Sequence, residues 1–265
     1  MNFTQKIRLG RTGLYSGRLG ISSSYGAPAE AFEEAFEHGC NYFTWGTFIL
    51  GRSKEMKKAV HNIVHKGQRD NLIIAIYSYS HSGLLTEIAI HKGLKKLGID
   101  YADVMILGYY PRQPSRRIID GALNLKEKGL IHHLALSGHN RKLFPELQKE
   151  GIVDIFHVRY NAVNRGAEND IFPYLQKENR PGIISFTATR WGQLLKQKKM
   201  PPGLQAPSAA DCYRYVLSNP SVDVCMVGTR NIDMMRENLA VLEQGPMSEE
   251  ELIRMRKIGD YIYKA

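Results

Sequence analysis

The chain has 265 residues, of which 43% are hydrophobic and 23% are charged, and its formal net charge is +10. This composition is ordinary for a globular protein, and the length suits either two average domains or one α/β barrel. The longest apolar runs, such as "LIIAIY" from residue 72, are too short to span a bilayer. The sequence therefore excludes a membrane-spanning protein.

The three cysteines, Cys40, Cys212 and Cys225, are far apart and form no CxxC pair. This spacing argues against a disulfide framework and against a zinc site, and it is typical of a reducing compartment. No signal-like pattern precedes Lys6. We therefore expect a cytoplasmic protein without a metal centre.

The excess of positive charge is compatible with an anionic partner, such as nucleic acid, a membrane surface or a phosphorylated ligand. The basic residues are dispersed, however, over segments such as "KEMKKAV", "HKGLKKLG" and "KQKKM". A nucleic-acid footprint is expected to cluster on one face of a protein. The dispersed pattern favours a generally basic surface and no nucleic-acid partner.

Strand-like and helix-like segments alternate along the chain. Residues 3–18, "FTQKIRLGRTGLYSGR", predict a small hairpin because short alternating segments are bounded by glycines. Eight apolar, β-branched runs of strand length follow, at residues 19–22, 42–44, 72–77, 104–107, 134–137, 155–159, 183–187 and 224–227. Amphipathic stretches lie between them, and three of these end at the helix-stop residues Gly39, Gly98 and Gly245.

Eight such units predict an α/β fold, namely a (β/α)8 TIM barrel formed by residues 1–265 as a single domain. The alternative is an open doubly wound sheet, but no GxGxxG motif follows the first strand. Ser248 and Glu251 form a capping-box pattern, which predicts an extra C-terminal helix over residues 248–263. The Pro- and Gly-rich segment 193–207 follows the seventh strand and is either a lid or a plain surface loop.

Six segments resemble the aldo-keto reductase family, in the family's order, from about residue 7 to residue 245. They are "LGRTGLYSGRLGISSSYG", "HGCNYFTWGTFILGRSKEM", "LKKLGIDYADVMILG", "GLIHHLALSGHN", "YNAVNRGAENDIFPYL" and "VGTRNIDMMRENLAVLE". The resemblance implies a barrel that binds NADP(H) across the carboxyl ends of its strands and reduces carbonyls by hydride transfer. A small-molecule carbonyl, or another ligand, would then lie in the barrel mouth.

All four catalytic positions of the family differ in this chain. Where the family has Asp, Tyr, Lys and His, the sequence has Thr44, Ile49, Tyr77 and Gly108. In the family the Tyr donates a proton to the carbonyl oxygen, and loss of such an acid typically costs about 10²–10⁴-fold in rate. Tyr77 is the first candidate for a substitute donor; otherwise it is an aromatic plug. Other groups expected at this face, as donors or as an aromatic cleft, are Tyr25, Tyr79, His81, Tyr109 and Tyr110.

The resemblance also implies a set of nicotinamide contacts. Ser137 matches the family, whereas Gly138 replaces an Asn and His157 replaces a Gln. Phe186 matches the aromatic residue that stacks on the nicotinamide, and the pyrophosphate loop corresponds to Thr187, Ala188 and Thr189. The alternative interpretations are that Ser137 is a plain strand end and that Phe186 is a core aromatic.

The adenosine end of the cofactor corresponds to Gly228, Thr229, Arg230, Glu237 and Asn238. Gly228 and Thr229 are expected to open a helix N-terminus, which is a common anion site. Arg230 is expected to bind the 2′-phosphate through its planar fork. Met234 stands where many relatives have a second polar contact. Glu237 and Asn238 also have a simpler interpretation, as part of a polar helix face.

Two classes of function compete on this basis. The first is an NADP(H)-dependent carbonyl oxidoreductase with a rebuilt or weakened site. The second is a catalytically silent barrel that binds NADP(H) or another ligand as a sensor or partner protein. The scaffold and the cofactor loops favour the first class, and the four changed positions favour the second. The sequence indicates neither the substrate nor the oligomeric state.

Overall fold

The computed structural model describes residues 2–46, 51–176 and 178–264. Within them, eight parallel strands close into a barrel, with helices between successive strands. The predicted (β/α)8 barrel, its N-terminal hairpin and its extra C-terminal helix are confirmed. The open doubly wound sheet is excluded because the last barrel strand, Val224–Val227, pairs with the first, Leu19–Ser22, and closes the ring.

Each predicted apolar run lies on a barrel strand, with ends that differ by a few residues. The barrel strands are β3 Leu19–Ser22, β4 Tyr42–Trp45, β5 Ile73–Ser78, β6 Ala102–Leu107, β7 Ile131–Gly138, β8 Ile155–Arg159, β9 Gly182–Phe186 and β10 Val224–Val227. The α-helices are α1 Ala29–Glu37, α2 Lys54–His65, α3 Gly83–Leu97, α4 Arg116–Glu127, α5 Leu143–Glu150, α6 Ala167–Asp170, α7 Ala209–Leu217, α8 Ile232–Leu239, α9 Val241–Gln244 and α10 Glu249–Lys264.

The hairpin closes the amino end of the barrel. Strand β1 Ile7–Arg8 pairs antiparallel with β2 Tyr15–Ser16, and Leu9 between them is fully buried among the residues inside the barrel. Gly10 follows with a φ of 50°, and a Cβ there would lie 2.2 Å from the Gly182 backbone N. Only glycine fits this approach, because it lacks the Cβ that would collide.

Side chains alternate between two apolar layers, as the period of two along a strand requires. Residues such as Tyr42, Val104 and Ile155 point inward and fill the barrel. Their neighbours, such as Phe43 and Phe156, point outward and pack against the helices. This alternation fixes which residues at each strand end face the barrel axis.

The C-terminal half shows one correction and one confirmation. The segment that ends at Gly245 was expected to be one helix, but it divides at Ala240 into α8 and α9. The chain tightens there, since Glu243 N–H donates to Ala240 O in an i to i+3 bond of 3.4 Å. The predicted capping box of α10 is present: Ser248 N–H donates to Glu251 at 2.8 Å, and Glu251 N–H donates to Ser248 Oγ at 3.2 Å.

The segment 193–207 contains a short 3-10 helix at Gln197–Lys199 and is otherwise irregular. Buried Leu194 and Met200 attach it to the body of the protein. None of the helices within the described ranges combines the length and apolar character that crossing a membrane requires.

Candidate functional site

The expected catalytic positions meet at the mouth, where the strands end. Thr44 lies on β4, Tyr77 on β5, and Gly108 directly follows β6. Adjacent strands are in register at Thr44 with Ala75 and at Tyr77 with Ile106, so these three positions share one rim. Ile49 lies outside the described residues.

Tyr79 occupies the space that a side chain at position 108 would need. A Cβ on Gly108 would lie 2.6 Å from the Tyr79 ring, closer than real side chains approach. The Tyr79 ring also stacks on Tyr77, with ring centroids 5.2 Å apart and an interplanar angle of 4°. The space above Gly108 is therefore filled by a tyrosine ring from the loop that follows β5.

Both phenols are weaker acids than tyrosine in water. Burial raises the pKa of Tyr79 to about 12. Burial, and then the neighbouring Tyr79, raise the pKa of Tyr77 above its ordinary value. A general acid works best with a pKa near the operating pH, so neither shift favours proton donation.

The surroundings of Thr44 indicate a structural role. Its side chain is buried, and its hydroxyl donates to Ile21 O on the neighbouring strand at 3.5 Å. A hydroxyl in this position cannot supply the carboxylate charge that the family places there.

A buried pair lies below the rim. Tyr42 OH and His157 Nε2 are 3.1 Å apart, and both side chains are fully buried. Burial lowers the pKa of His157 to about 3, so the ring is neutral near pH 7. Its Nδ1 has no hydrogen-bond partner among the described residues. Sequence reasoning missed Tyr42, although it lies two positions before Thr44 and so faces the same side of its strand.

The turn after β9 has an unusual backbone. Thr187, Arg190 and Trp191 have φ values of 62°, 50° and 53°, in the left-handed region that non-glycine residues rarely adopt. Buried Asn161 holds the turn, since its Nδ2 donates to Thr187 O at 2.9 Å. Phe186, just before the turn, is only partly buried, so part of its ring faces the mouth.

A cationic and aromatic group lines the other side of the mouth. Arg159, at the end of β8, is in register with Phe186, and its guanidinium carbon lies 4.9 Å from the centre of the Trp191 ring. The His139 ring is 5.8 Å from Phe186 and 5.6 Å from Tyr109. Sequence reasoning missed Arg159, although it lies two positions after His157 and therefore faces the same side of β8.

The remaining loop aromatics form a separate part of the rim. His81 and Tyr110 stack with ring centroids 4.5 Å apart, and Tyr110 OH donates to Ser80 O at 3.0 Å. Ser137, on β7, is in register with His157 and is partly buried. A Cβ on Gly138 would lie 2.6 Å from Tyr110 O, so this position cannot carry the family's Asn without a shift of the loop.

The residues expected to hold the adenosine end follow β10. The helix itself begins at Ile232 with Asn231 as its N-cap, which corrects the expectation that Gly228 and Thr229 open it. The Asn231 side chain accepts from Met234 N–H at 2.9 Å. A Cβ on Gly228 would lie 2.1 Å from the Tyr25 ring, so the backbone approaches an aromatic ring closely here.

These adenosine-end residues differ in exposure. Arg230 and Glu237 are exposed, whereas Thr229 and Asn238 are buried. The Thr229 hydroxyl has no hydrogen-bond partner among the described residues. A nucleotide can reach Arg230 and Glu237 directly, and it can reach Thr229 and Asn238 only if neighbouring groups move.

No group of His, Cys, Asp or Glu side chains in the described ranges is arranged to hold a metal ion.

Comparison with known proteins decides the family. A sequence model described as "Aldo/keto reductase family" matches residues 14–211, which is more than half of the chain. The chain belongs to the aldo-keto reductase family. No match is found among curated protein sequences.

Solved aldo-keto reductases share the fold. The holo form of aldo-keto reductase AKR11C1 from Bacillus halodurans matches with a TM-score of 0.80 and 20% identity, covering 96% of both chains. An aldo/keto reductase from Klebsiella pneumoniae, in complex with NADP and acetate, matches with a TM-score of 0.78 and 17% identity, covering 97% of this chain and 95% of that one. This aldo-keto reductase therefore has its family's fold.

Proposed function

We propose that this aldo-keto reductase binds NADP(H) at the carboxyl ends of its strands and reduces carbonyl compounds far more slowly than a member with the complete tetrad. Family membership, and a structural neighbour bound to NADP, support the nucleotide. The observation that carries the slow reduction is the stacked Tyr77 and Tyr79 pair, which fills the space above Gly108.

Several groups at the mouth suit a dinucleotide. Phe186 offers part of its ring for stacking on the nicotinamide, and the left-handed turn from Thr187 offers backbone groups for the pyrophosphate. Strained backbone of this kind is common where a protein approaches a ligand. Exposed Arg230 would bind the 2′-phosphate through its fork. NADPH, when bound, supplies the hydride.

The protein's own groups supply little acid catalysis. A carbonyl oxygen that receives charge during reduction needs a proton or a hydrogen-bond donor. Tyr77 and Tyr79 have raised pKa values, and positions 44 and 108 carry a buried hydroxyl and no side chain. A deficit of about 10³-fold corresponds to roughly 4 kcal/mol of lost transition-state stabilisation.

The filling of the space above Gly108 by Tyr79 also favours a second candidate: a barrel that binds the nucleotide without turnover and acts as a sensor or partner protein. The two candidates share nucleotide binding and differ in catalysis. They are therefore separated by measuring binding first and turnover second.

Calorimetric titration with NADPH and NADH tests the shared part. NADPH should bind more tightly than NADH, and Arg230→Ala should weaken NADPH by about 1.5–3 kcal/mol while barely affecting NADH. Arg116→Ala, which removes an exposed arginine from α4, is the matched control. Equal losses for both nucleotides would contradict the role of Arg230, and a wild type that binds neither would overturn the proposal.

NADPH oxidation with nitrobenzaldehyde and dicarbonyl substrates tests the catalytic part. We expect little turnover, and any residual rate should fall in Tyr77→Phe. Turnover of about 1–10³ s⁻¹, the usual enzyme range, would rule out the weakened site. A complete lack of turnover with tight NADPH binding would favour the sensor.

A further inference from the structure

Arg159 differs from the part-buried arginines that form ion pairs elsewhere in the fold. Arg69, Arg180 and Arg214 each bind a carboxylate at 2.9 Å or less. Among the described residues, Arg159 has no ion pair, and its Nε is buried without a hydrogen-bond partner. Within the same residues, the Nε atoms of Arg11 and Arg69 are also buried without a hydrogen-bond partner, but both guanidinium groups pair with an aspartate. The guanidinium group of Arg159 has no such carboxylate among the described residues, and a buried charge normally has a partner, so it can take an anionic ligand.

A second cation increases this imbalance. Arg190 immediately precedes Trp191, whose ring centre lies 4.9 Å from the Arg159 guanidinium carbon. Within the described residues, Arg190 Nη1 donates to a backbone carbonyl, that of Ile262, at 3.4 Å. Burial lowers the pKa of Arg159; Tyr109 acts to raise it, and the positive charge of Arg190 adds to the lowering. Holding two positive charges near each other in a partly desolvated place raises the electrostatic free energy, and an anion between or beside them would reduce the repulsion.

The geometry around Arg159 is selective. Trp191 lies against the guanidinium carbon at 4.9 Å, which leaves the N–H edges of the fork for a partner. The neighbouring positions are Phe186, in register on β9, and His139, 5.8 Å from the Phe186 ring. A planar carboxylate matches two parallel N–H groups of arginine, and an attached carbon skeleton would contact the aromatic rings.

We propose that the mouth takes a small organic carboxylate, whose carboxyl group is bound by the Arg159 fork beside Trp191 and whose carbon skeleton lies against Phe186. The assignment rests on the proposed function, because it names the class of ligand that shares the mouth with the nucleotide. The shared chemistry is an anion, so the test must separate a carboxylate from inorganic phosphate and from the cofactor's own pyrophosphate.

The test is calorimetric titration with 4-carboxybenzaldehyde and its neutral methyl ester, each with and without saturating NADP⁺. The wild type should prefer the carboxylate by about 10- to 100-fold, as expected for a charge-assisted bidentate contact. Arg159→Met, which keeps a long apolar stem against Trp191, should reduce the preference to within about threefold and leave the ester unchanged. Arg159→Lys should retain part of it, because the charge remains but the fork is lost.

Control measurements make each outcome decisive. Arg116→Met removes an equal charge from the surface of α4 and should leave the preference unchanged. The proposal is overturned if Arg159→Met keeps the preference, if it loses both ligands equally, or if inorganic phosphate displaces the carboxylate at equal concentration. It is also overturned if Arg159→Met weakens NADPH as strongly as the carboxylate, since Arg159 would then contact the cofactor.

The failure of the proposed function gives a different pattern. A wild type that binds neither NADPH nor NADH, but still prefers the carboxylate in an Arg159-dependent way, overturns nucleotide binding and supports the anion site. A wild type that binds NADPH but does not distinguish carboxylate from ester overturns only the anion site.

Discussion

The two ends of the barrel differ in whether their buried charged groups have partners of opposite charge. At the amino end, three aspartates each accept a backbone N–H from the neighbouring strand and each lie beside an arginine; they are Asp103, Asp154 and Asp223. At the mouth, Arg159 has no carboxylate partner among the described residues. Unsatisfied buried N–H groups occur at both ends, since the Nε atoms of Arg11, Arg69 and Arg159 all lack a hydrogen-bond partner within the described ranges.

The backbone shows the same contrast. In the described part of the chain, five non-glycine residues have a left-handed φ, and four of them, Tyr109, Thr187, Arg190 and Trp191, follow barrel strands at the mouth. The fifth, Asn179, is of a type that tolerates this conformation. Such strain persists only where the surrounding structure enforces it. The amino end is therefore built for stability, and the mouth holds the strained backbone and an arginine without a carboxylate partner, which a ligand can use.

The largest expected effect is at the amino end. Asp223 is buried, accepts from Arg180 at 2.7 Å and from Ile183 N–H at 2.8 Å, and its replacement by Ala should cost about 3 kcal/mol of unfolding free energy. Arg159→Met at the mouth should change it by less than about 0.5 kcal/mol, because no ion pair is broken. Urea unfolding measures both, and equal losses would remove the distinction between the two ends.

A second prediction concerns the crowding at the mouth. Gly108→Ala should destabilise by about 1–3 kcal/mol, because the new Cβ would lie 2.6 Å from the Tyr79 ring. In a Tyr79→Ala background the same change should cost little, and a double-mutant cycle by urea unfolding measures this coupling. Gly121→Ala on α4, where the nearest atom is 3.5 Å away, is the control. Additive losses would mean that Tyr79 does not occupy the space above Gly108.

The sequence was sufficient for the fold because the barrel depends on local patterns. Apolar runs, glycine stops at Gly39 and Gly98 and the capping box at Ser248 each act over a few residues, and each is present in the structure. The division of the helix at Ala240 was not predictable, since the apolar pattern continues through it.

The site was only partly predictable, because its chemistry depends on contacts between distant segments. Comparing motifs identified the changed positions, including Gly108, but not that the ring of Tyr79 fills the gap. The alternation of β8 was enough to place Arg159 on the axis side, but its lack of a carboxylate partner is a property of the assembled mouth. Left-handed backbone at Trp191 has no sequence signal, because non-glycine residues rarely adopt it.

A third prediction follows from the pairing of Asp154 at the amino end. Burial opposes its ionisation, but hydrogen bonds from His133 and Leu134 N–H outweigh this and lower its pKa. A folded pKa below the unfolded value gives stability that is present above the unfolded pKa and lost as the pH falls through the folded pKa. Asp154→Asn should therefore cost about 1 kcal/mol at pH 6 and progressively less towards pH 3.

Urea unfolding of both proteins at pH 6, 5, 4 and 3 measures this convergence. Glu127→Gln, on the exposed face of α4, is the matched control and should follow the wild type throughout. A constant gap between wild type and Asp154→Asn at all four pH values would show that packing, and not the carboxylate charge, supplies the difference.

The smallest expected effect has the opposite sign and lies at the mouth. Thr187 is β-branched and has a φ of 62°, a conformation that costs an L-residue roughly 1–2 kcal/mol. Thr187→Gly should therefore raise the unfolding free energy by about 0.5–1 kcal/mol, since glycine adopts this φ freely. The same change should weaken NADPH binding, because a more mobile turn must be ordered when the nucleotide binds.

Asn179→Gly, with a φ of 57° far from the mouth, should change neither the unfolding free energy nor NADPH binding. If Thr187→Gly destabilises the protein instead, the hydrogen bond from Thr187 Oγ1 to Phe186 O, at 2.6 Å, outweighs the strain, and the turn is held for stability and not for the ligand.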